Sequence, residues 1–120
     1  MRISLTKVID FESAHWLPTF PEGHKCRRLH GHSFKVEVVI SGEVDPAKGY
    51  LRDFGEVKAV LEPIKEALDH RLLNEIEGLE NPTAEMLAKW VYDRVKPDLA
   101  ELERVRVRET CTSSAEYAGE

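Results

Sequence analysis

From Ser33 to Ser41 the chain alternates almost without fault: Phe34, Val36, Val38 and Ile40 take one parity, Ser33, Lys35, Glu37 and Ser41 the other, and only Val39 breaks the pattern. Side chains of a strand point alternately to its two faces, so this period predicts a half-buried strand with Gly42 at its end. The first segment has the same character. Ile3, Leu5, Ile9 and Phe11 share one parity, with Lys7 the exception, and Ser4, Thr6, Asp10 and Glu12 take the other. Two strands with one apolar face each cannot be left uncovered in water, so the rest of the chain must supply a cover.

The middle of the sequence does so with helices. Asp45 to Gly49 reads as a turn. After it, Phe54, Val57, Leu61, Ile64 and Leu68 recur at helical spacing. Pro63 lies inside that pattern and predicts a kink or break, because it lacks a donor and crowds the carbonyl four residues back. Asn81-Pro82-Thr83 marks a second helix start, with Glu85 in its positive first turn. Leu87, Val91 and Val95 form its apolar stripe, and Pro97 stops it. Val105 and Val107 then alternate with Arg104, Arg106 and Arg108, and Ala115-Glu116-Tyr117 closes a final hairpin. The order strand, strand, helix, helix, strand, strand predicts an α+β fold, an antiparallel sheet with two helices on one face.

The chain has 120 residues, which suits one domain spanning 1–120. Its formal net charge of −5 argues against a nucleic-acid partner. No apolar run is long enough for a bilayer, and Met1 to Asp10 lacks the continuous apolar segment of a signal peptide, so no membrane association and a cytoplasmic location are expected. Two cysteines, Cys26 and Cys111, are too few for a disulfide framework. Cys111 is expected to be an ordinary thiol.

Three of the histidines carry chemistry. His30 and His32 share the parity of Phe34 and Val36, and His15 shares that of Ile9 and Phe11. Side chains two apart on a strand point the same way, with Cα atoms roughly 6–7 Å apart. If the two strands pair antiparallel, the three imidazoles meet at the open end of the hairpin. Three neutral nitrogens with one free position describe a catalytic zinc site better than a structural one. Gly31, between two of them, is expected to allow a close approach or an unusual backbone angle.

Cys26 sits in a basic run with Lys25, Arg27 and Arg28. Nearby cations favour a thiolate, which can act as base or nucleophile. The rival reading makes Cys26 a fourth, permanent zinc ligand. The run itself could hold an anionic substrate tail. Asp69-His70 follows the first helix, and a direct bond between the two needs a bend in the chain. Glu109 has the inward parity of Val105 and Val107, which is costly for a charge unless it is paired; it could grip a donor-rich ring.

Together these residues resemble the pterin synthases of the tunnelling fold, the 6-pyruvoyltetrahydropterin synthase family. The resemblance rests on Cys26-x-x-x-His30-Gly31-His32, the upstream His15, Asp69-His70 and Glu109-Thr110, supported by Pro21 to Cys26, Leu72-Leu73-Asn74, Glu80 to Thr83 and Glu109 to Thr112. The three-residue gap after Cys26 is similar to that of the branch forming 6-carboxytetrahydropterin in queuosine and 7-deazapurine synthesis. What the resemblance implies is a zinc-dependent lyase that turns 7,8-dihydroneopterin triphosphate and water into 6-carboxy-5,6,7,8-tetrahydropterin, acetaldehyde and triphosphate. It implies zinc on His15, His30 and His32, catalytic roles for Cys26, Asp69, His70 and Glu109, and a pterin-edge contact at Glu109. It also implies a four-stranded sheet with two helices on one face, trimeric barrels that pair into hexamers, and sites between subunits. Three alternatives stand beside it: a 6-pyruvoyltetrahydropterin synthase, a three-histidine zinc hydratase, and a structural zinc module that uses Cys26 and does no chemistry.

Overall fold

The computed structural model describes residues 1–120. Strand β1 (Arg2–His15) and strand β2 (His30–Glu43) form a long antiparallel hairpin. Helix α1 (Phe54–Leu68) and helix α2 (Ala84–Val95) follow, then strand β3 (Leu102–Thr110) and strand β4 (Ser113–Tyr117). The sheet order is β1-β2-β3-β4, antiparallel throughout. No helix is long and apolar enough to cross a membrane.

Alternation fixes which face is covered. Ile9, Phe11, Phe34, Val36, Val38 and Ile40 from the hairpin join Val105 and Val107 from β3 in one core with Leu61, Leu68, Leu87 and Val91 from the helices. Both helices therefore lie on the same face of the sheet. Phe11 and Phe34 are register partners, and their rings stack with centroids 5.1 Å apart. Strand β2 begins at His30 and runs past Gly42 to Glu43, longer than its alternating stretch. Val39, the residue that breaks the alternation, is 4% exposed although its parity turns it from the helices. Thr6 and Arg104 flank it in register, so its neighbours' side chains cover it.

The helix ends follow local chemistry. The Asp53 carboxylate accepts from the Gly55 N–H at the start of α1, and the Thr83 hydroxyl accepts from the Met86 N–H at the start of α2. The expected break at Pro63 does not occur: α1 is continuous from Phe54 to Leu68. Pro63 is on the exposed side of the helix, where water can serve the freed carbonyl, while Val57, Leu61, Ile64 and Leu68 hold the buried side. Phe54, read as the first residue of the apolar stripe, is half exposed instead.

Because Pro63 removes one helical hydrogen bond and its ring contributes nothing to the core, Pro63→Ala is expected to stabilise the fold by about 1–3 kcal/mol. A higher denaturant midpoint with an unchanged slope would bear this out.

Candidate functional site

The register places His15 opposite His30, at the last rung of β1 and the first of β2. His32 lies two residues along the same face. Their ligand atoms all lie within 4.8 Å of one another. Phe34 forms the floor, with its ring edge-on to His15 at 5.5 Å and to His32 at 5.4 Å. Phe34 thus sets an apolar ring against two of the three imidazoles.

The ring nitrogens show whether this set suits a metal. His15 Nδ1 lies 2.8 Å from the Pro82 carbonyl, and a carbonyl can only accept, so Nδ1 carries the proton. Nε2 is then a bare lone pair, and it is buried with no partner. A buried polar atom without a partner costs stability unless something binds it. His30 repeats the arrangement, with Nδ1 donating to the Arg28 carbonyl at 2.6 Å. Hydrogen bonds of this kind set the tautomer of metal-binding histidines. Burial pushes the pKa of His15 down to about 4, with His30 and His32 adding a smaller repulsion and the Pro82 carbonyl working the other way. Burial, then His30, also lowers His32. Neutral imidazoles with aligned lone pairs are the form a divalent metal takes, and His15, His30 and His32 could hold one.

Gly31 shows neither feature expected of it. It pairs with Ala14 in the regular ladder, and a Cβ there would meet only the Ser13 carbonyl at 3.5 Å, an ordinary contact. The physical consequence lies on the outer side. The small pair Ala14 and Gly31 lines an open groove of about 480 Å³ with Glu12, His32, His70 and Arg71.

Cys26 is not part of the converging set, which consists of the three histidines. It rides a short turn, Lys25–Arg27, and is half-buried. The turn is tied down at three points. The Leu17 N–H donates to the Cys26 carbonyl at 2.9 Å, and the Cys26 N–H donates to His24 Nδ1 at 3.0 Å. The Arg27 guanidinium donates to the carbonyls of Pro18 and Phe20, at 3.1 and 2.9 Å. Arg27 is thus engaged in holding the loop, whereas Lys25 and Arg28 are exposed. Cys111, at the tip of the β3–β4 hairpin, is exposed.

Asp69 and His70 do meet, through the bend that adjacency demands. His70 has φ +56°, a left-handed conformation unusual for a residue with a Cβ. Its Nδ1 then lies 3.0 Å from Asp69 Oδ1. Glu12 clamps the pair with its main chain: its N–H donates to Asp69 Oδ1 at 3.0 Å, and its carbonyl accepts from the His70 N–H at 2.6 Å. That N–H donation, and then His70, hold the Asp69 carboxyl below its usual range. The His70 side chain itself is 79% exposed.

Glu109 is half-buried at the end of β3, with Oε2 4.0 Å from His32 Nε2. Burial raises its pKa, and Glu85 at the start of α2 adds to the rise, while His30 opposes it. Three participants were not read as site residues in the sequence. Glu12 supplies the clamp on Asp69 and His70, Glu85 supplies negative charge beside Glu109, and the Asn74 amide bonds both main-chain groups of Trp16. No local pattern marks these contacts, since each acts across a long separation in the chain.

Known proteins share this plan. A model of the 6-pyruvoyl tetrahydropterin synthase family matches residues 4–120. The chain is 44% identical to a 6-carboxy-5,6,7,8-tetrahydropterin synthase of Synechocystis sp., over 92% of this chain and 89% of that protein. It is 39% identical to a dihydroneopterin monophosphate aldolase of Pyrococcus furiosus, over 74% of this chain and 71% of that one. The solved 6-pyruvoyl tetrahydropterin synthase of Caenorhabditis elegans superposes with a TM-score of 0.91 at 25% identity, covering 100% of this chain and 97% of its own. Fold and sequence agree: the chain belongs to the 6-pyruvoyl tetrahydropterin synthase family.

Proposed function

We propose that this chain converts 7,8-dihydroneopterin triphosphate and water to 6-carboxy-5,6,7,8-tetrahydropterin, acetaldehyde and triphosphate, as a zinc-dependent lyase of queuosine and 7-deazapurine synthesis. The observation that carries the reading is the buried, unpartnered His15 Nε2 at the meeting point of three histidines, in a chain 44% identical to a protein named for forming that product. His15, His30 and His32 would hold zinc. Bound there, zinc supplies Lewis acidity toward the substrate's side-chain hydroxyls.

The chain's own residues do the rest. Cys26 takes a proton from the substrate side chain. His70, oriented by Asp69 at 3.0 Å, moves protons to and from it. Glu109 accepts a pair of hydrogen bonds from the amino-pyrimidine edge of the pterin. Lys25 and Arg28 meet the triphosphate, with Arg27 steadying the loop that carries them. We place all this in one domain over 1–120, working in the cytoplasm as a hexamer of two trimers with sites between subunits. No nucleic acid or membrane enters the reading.

The 39% identity to a dihydroneopterin monophosphate aldolase favours a second reading, aldol cleavage of a dihydroneopterin monophosphate. Incubating the protein with either pterin phosphate and identifying products by mass separates the two. Acetaldehyde with 6-carboxytetrahydropterin from the triphosphate supports the first reading. Aldol cleavage products alone overturn it.

Two variants define the roles of metal and thiol. His30→Ala is expected to fold but lose both zinc and activity, because His30 sits at the hairpin mouth and not in the core. Cys26→Ala is expected to keep zinc and lose turnover. Loss of zinc with Cys26 would instead make it a structural ligand. Metal content by mass spectrometry, read beside activity, decides between them.

Glu109→Gln preserves size but replaces one acceptor with a donor and removes the charge. Substrate binding is expected to weaken by about 1.5–3 kcal/mol, the range for a charged hydrogen bond. If Glu109 also takes part in proton movement, the single-turnover rate falls as well. Unchanged affinity and rate would remove Glu109 from the site.

A further inference from the structure

We infer that Asn74 is the positioning residue that holds the metal-binding end of β1 and the Cys26 loop in one frame. The inference rests on the roles proposed above for His15 and Cys26, and it starts from an uneven set of bonds along one strand edge. Strand β1 lies at the edge of the sheet, and near its end that edge is bonded to the segment after α1. Glu12 bonds the main chain of His70, and the Ala14 N–H donates to the Arg71 carbonyl at 2.9 Å. At Trp16 the backbone pairing gives way to a side chain. Asn74 Oδ1 accepts from the Trp16 N–H at 3.0 Å, and Asn74 Nδ2 donates to the Trp16 carbonyl at 2.7 Å. One planar amide thus satisfies both main-chain groups of a single residue, as a paired strand would.

What Trp16 connects gives the clamp its meaning. The residue before it is His15. The residue after it is Leu17, whose N–H holds the Cys26 carbonyl at 2.9 Å. Asn74 itself sits four residues after His70, on the short turn Leu73–Glu75. A single amide therefore stands where the strand of the first histidine, the loop of the cysteine and the segment of the Asp69–His70 pair come together. Only an amide serves here. It offers a donor and an acceptor on one rigid plane, whereas a carboxylate can only accept and would repel the Trp16 carbonyl. Asn74 touches none of the reacting groups, so its action runs through the placement of others.

The test uses a Cys111→Ser background, so that Cys26 is the only thiol. In that background Asn74→Ala is expected to keep its metal and to bind substrate with little change in KM. Its kcat should fall roughly 10–100-fold, the range for a misplaced catalytic group. The half-buried Cys26 thiol should react several-fold faster with iodoacetamide once the loop loses its anchor. Asn74→Asp, which keeps the acceptor but loses the donor and sets a charge against the Trp16 carbonyl, should also fall short of the parent on both measures. All assays are run well below each variant's melting temperature, and the aspartate variant carries the comparison if the alanine variant is not folded there. A lower melting temperature with parental kcat and parental alkylation rate would make Asn74 a purely structural clamp and overturn the inference. If the parent turns over no pterin, the proposed function fails, and the alkylation rates still decide whether Asn74 positions Cys26.

Discussion

The pairing register of β1 with β2 is the constraint from which the rest follows. Strand side chains alternate with a period of two, so a slip of one residue would turn a whole strand inside out. In the observed register Phe11 stacks on Phe34, and two rungs along on each strand Ser13 faces His32. One more pair of rungs brings His15 opposite His30. The aromatic stack resists any slip because it would have to move a ring into water. Core packing and histidine geometry are thus one choice made once, and the histidines ride on the hydrophobic pattern.

The same arrangement has a cost. His15 is fully buried, its ring kept neutral by burial, with one nitrogen bonded to Pro82 and the other to nothing. An unpaired buried nitrogen costs about 1–3 kcal/mol in an ordinary core. A bound metal would relieve it, and metal binding would then couple to folding at this end of the hairpin. The fixed tautomers of His15 and His30 leave both Nε2 atoms free to take such a partner.

Much of this was legible in the sequence because it depends on short periods. The parity of Phe34 and Val36 extends to His32 and His30, and that of Phe11 extends to His15. The strands follow from alternation and both helices from helical spacing, and the convergence of the three histidines follows once the first two strands pair antiparallel. The Asp69–His70 contact was legible only as a condition, since adjacent side chains meet only through a bend; the structure supplies it at His70 with φ +56°. The clamps that hold the site were not legible. Glu12 reaches Asp69 across 57 residues and Asn74 reaches Trp16 across 58, and no pattern in a window announces such a bond. Arg27 was read with its basic neighbours as an anion contact; its bonds to the Pro18 and Phe20 carbonyls were not legible, because charge is visible in a sequence and loop carbonyls are not. Pro63 misled for a related reason: its helix-breaking chemistry is local, while the packing that keeps α1 continuous is tertiary.

The site also has a direction. His32 neighbours Glu109, whose carboxylate is pushed toward its neutral form by burial and by Glu85. His30 instead bonds the main chain of Arg28, beside the exposed cations of the Cys26 turn. In sequence and main-chain contact, the three histidines thus have a carboxylate on one side and a basic turn on the other. On the proposed reading, a substrate with a donor-rich ring and a polyanionic tail would fit that polarity in one orientation. Ring donors at Glu109 would relieve the repulsion from Glu85 and favour the ionised carboxylate, while the tail would face the cations. In the reverse orientation phosphate would meet two carboxylates. On the proposed reading, repulsion at the wrong end selects the pose as firmly as attraction at the right one, and it brings the carbons between ring and tail to the histidines.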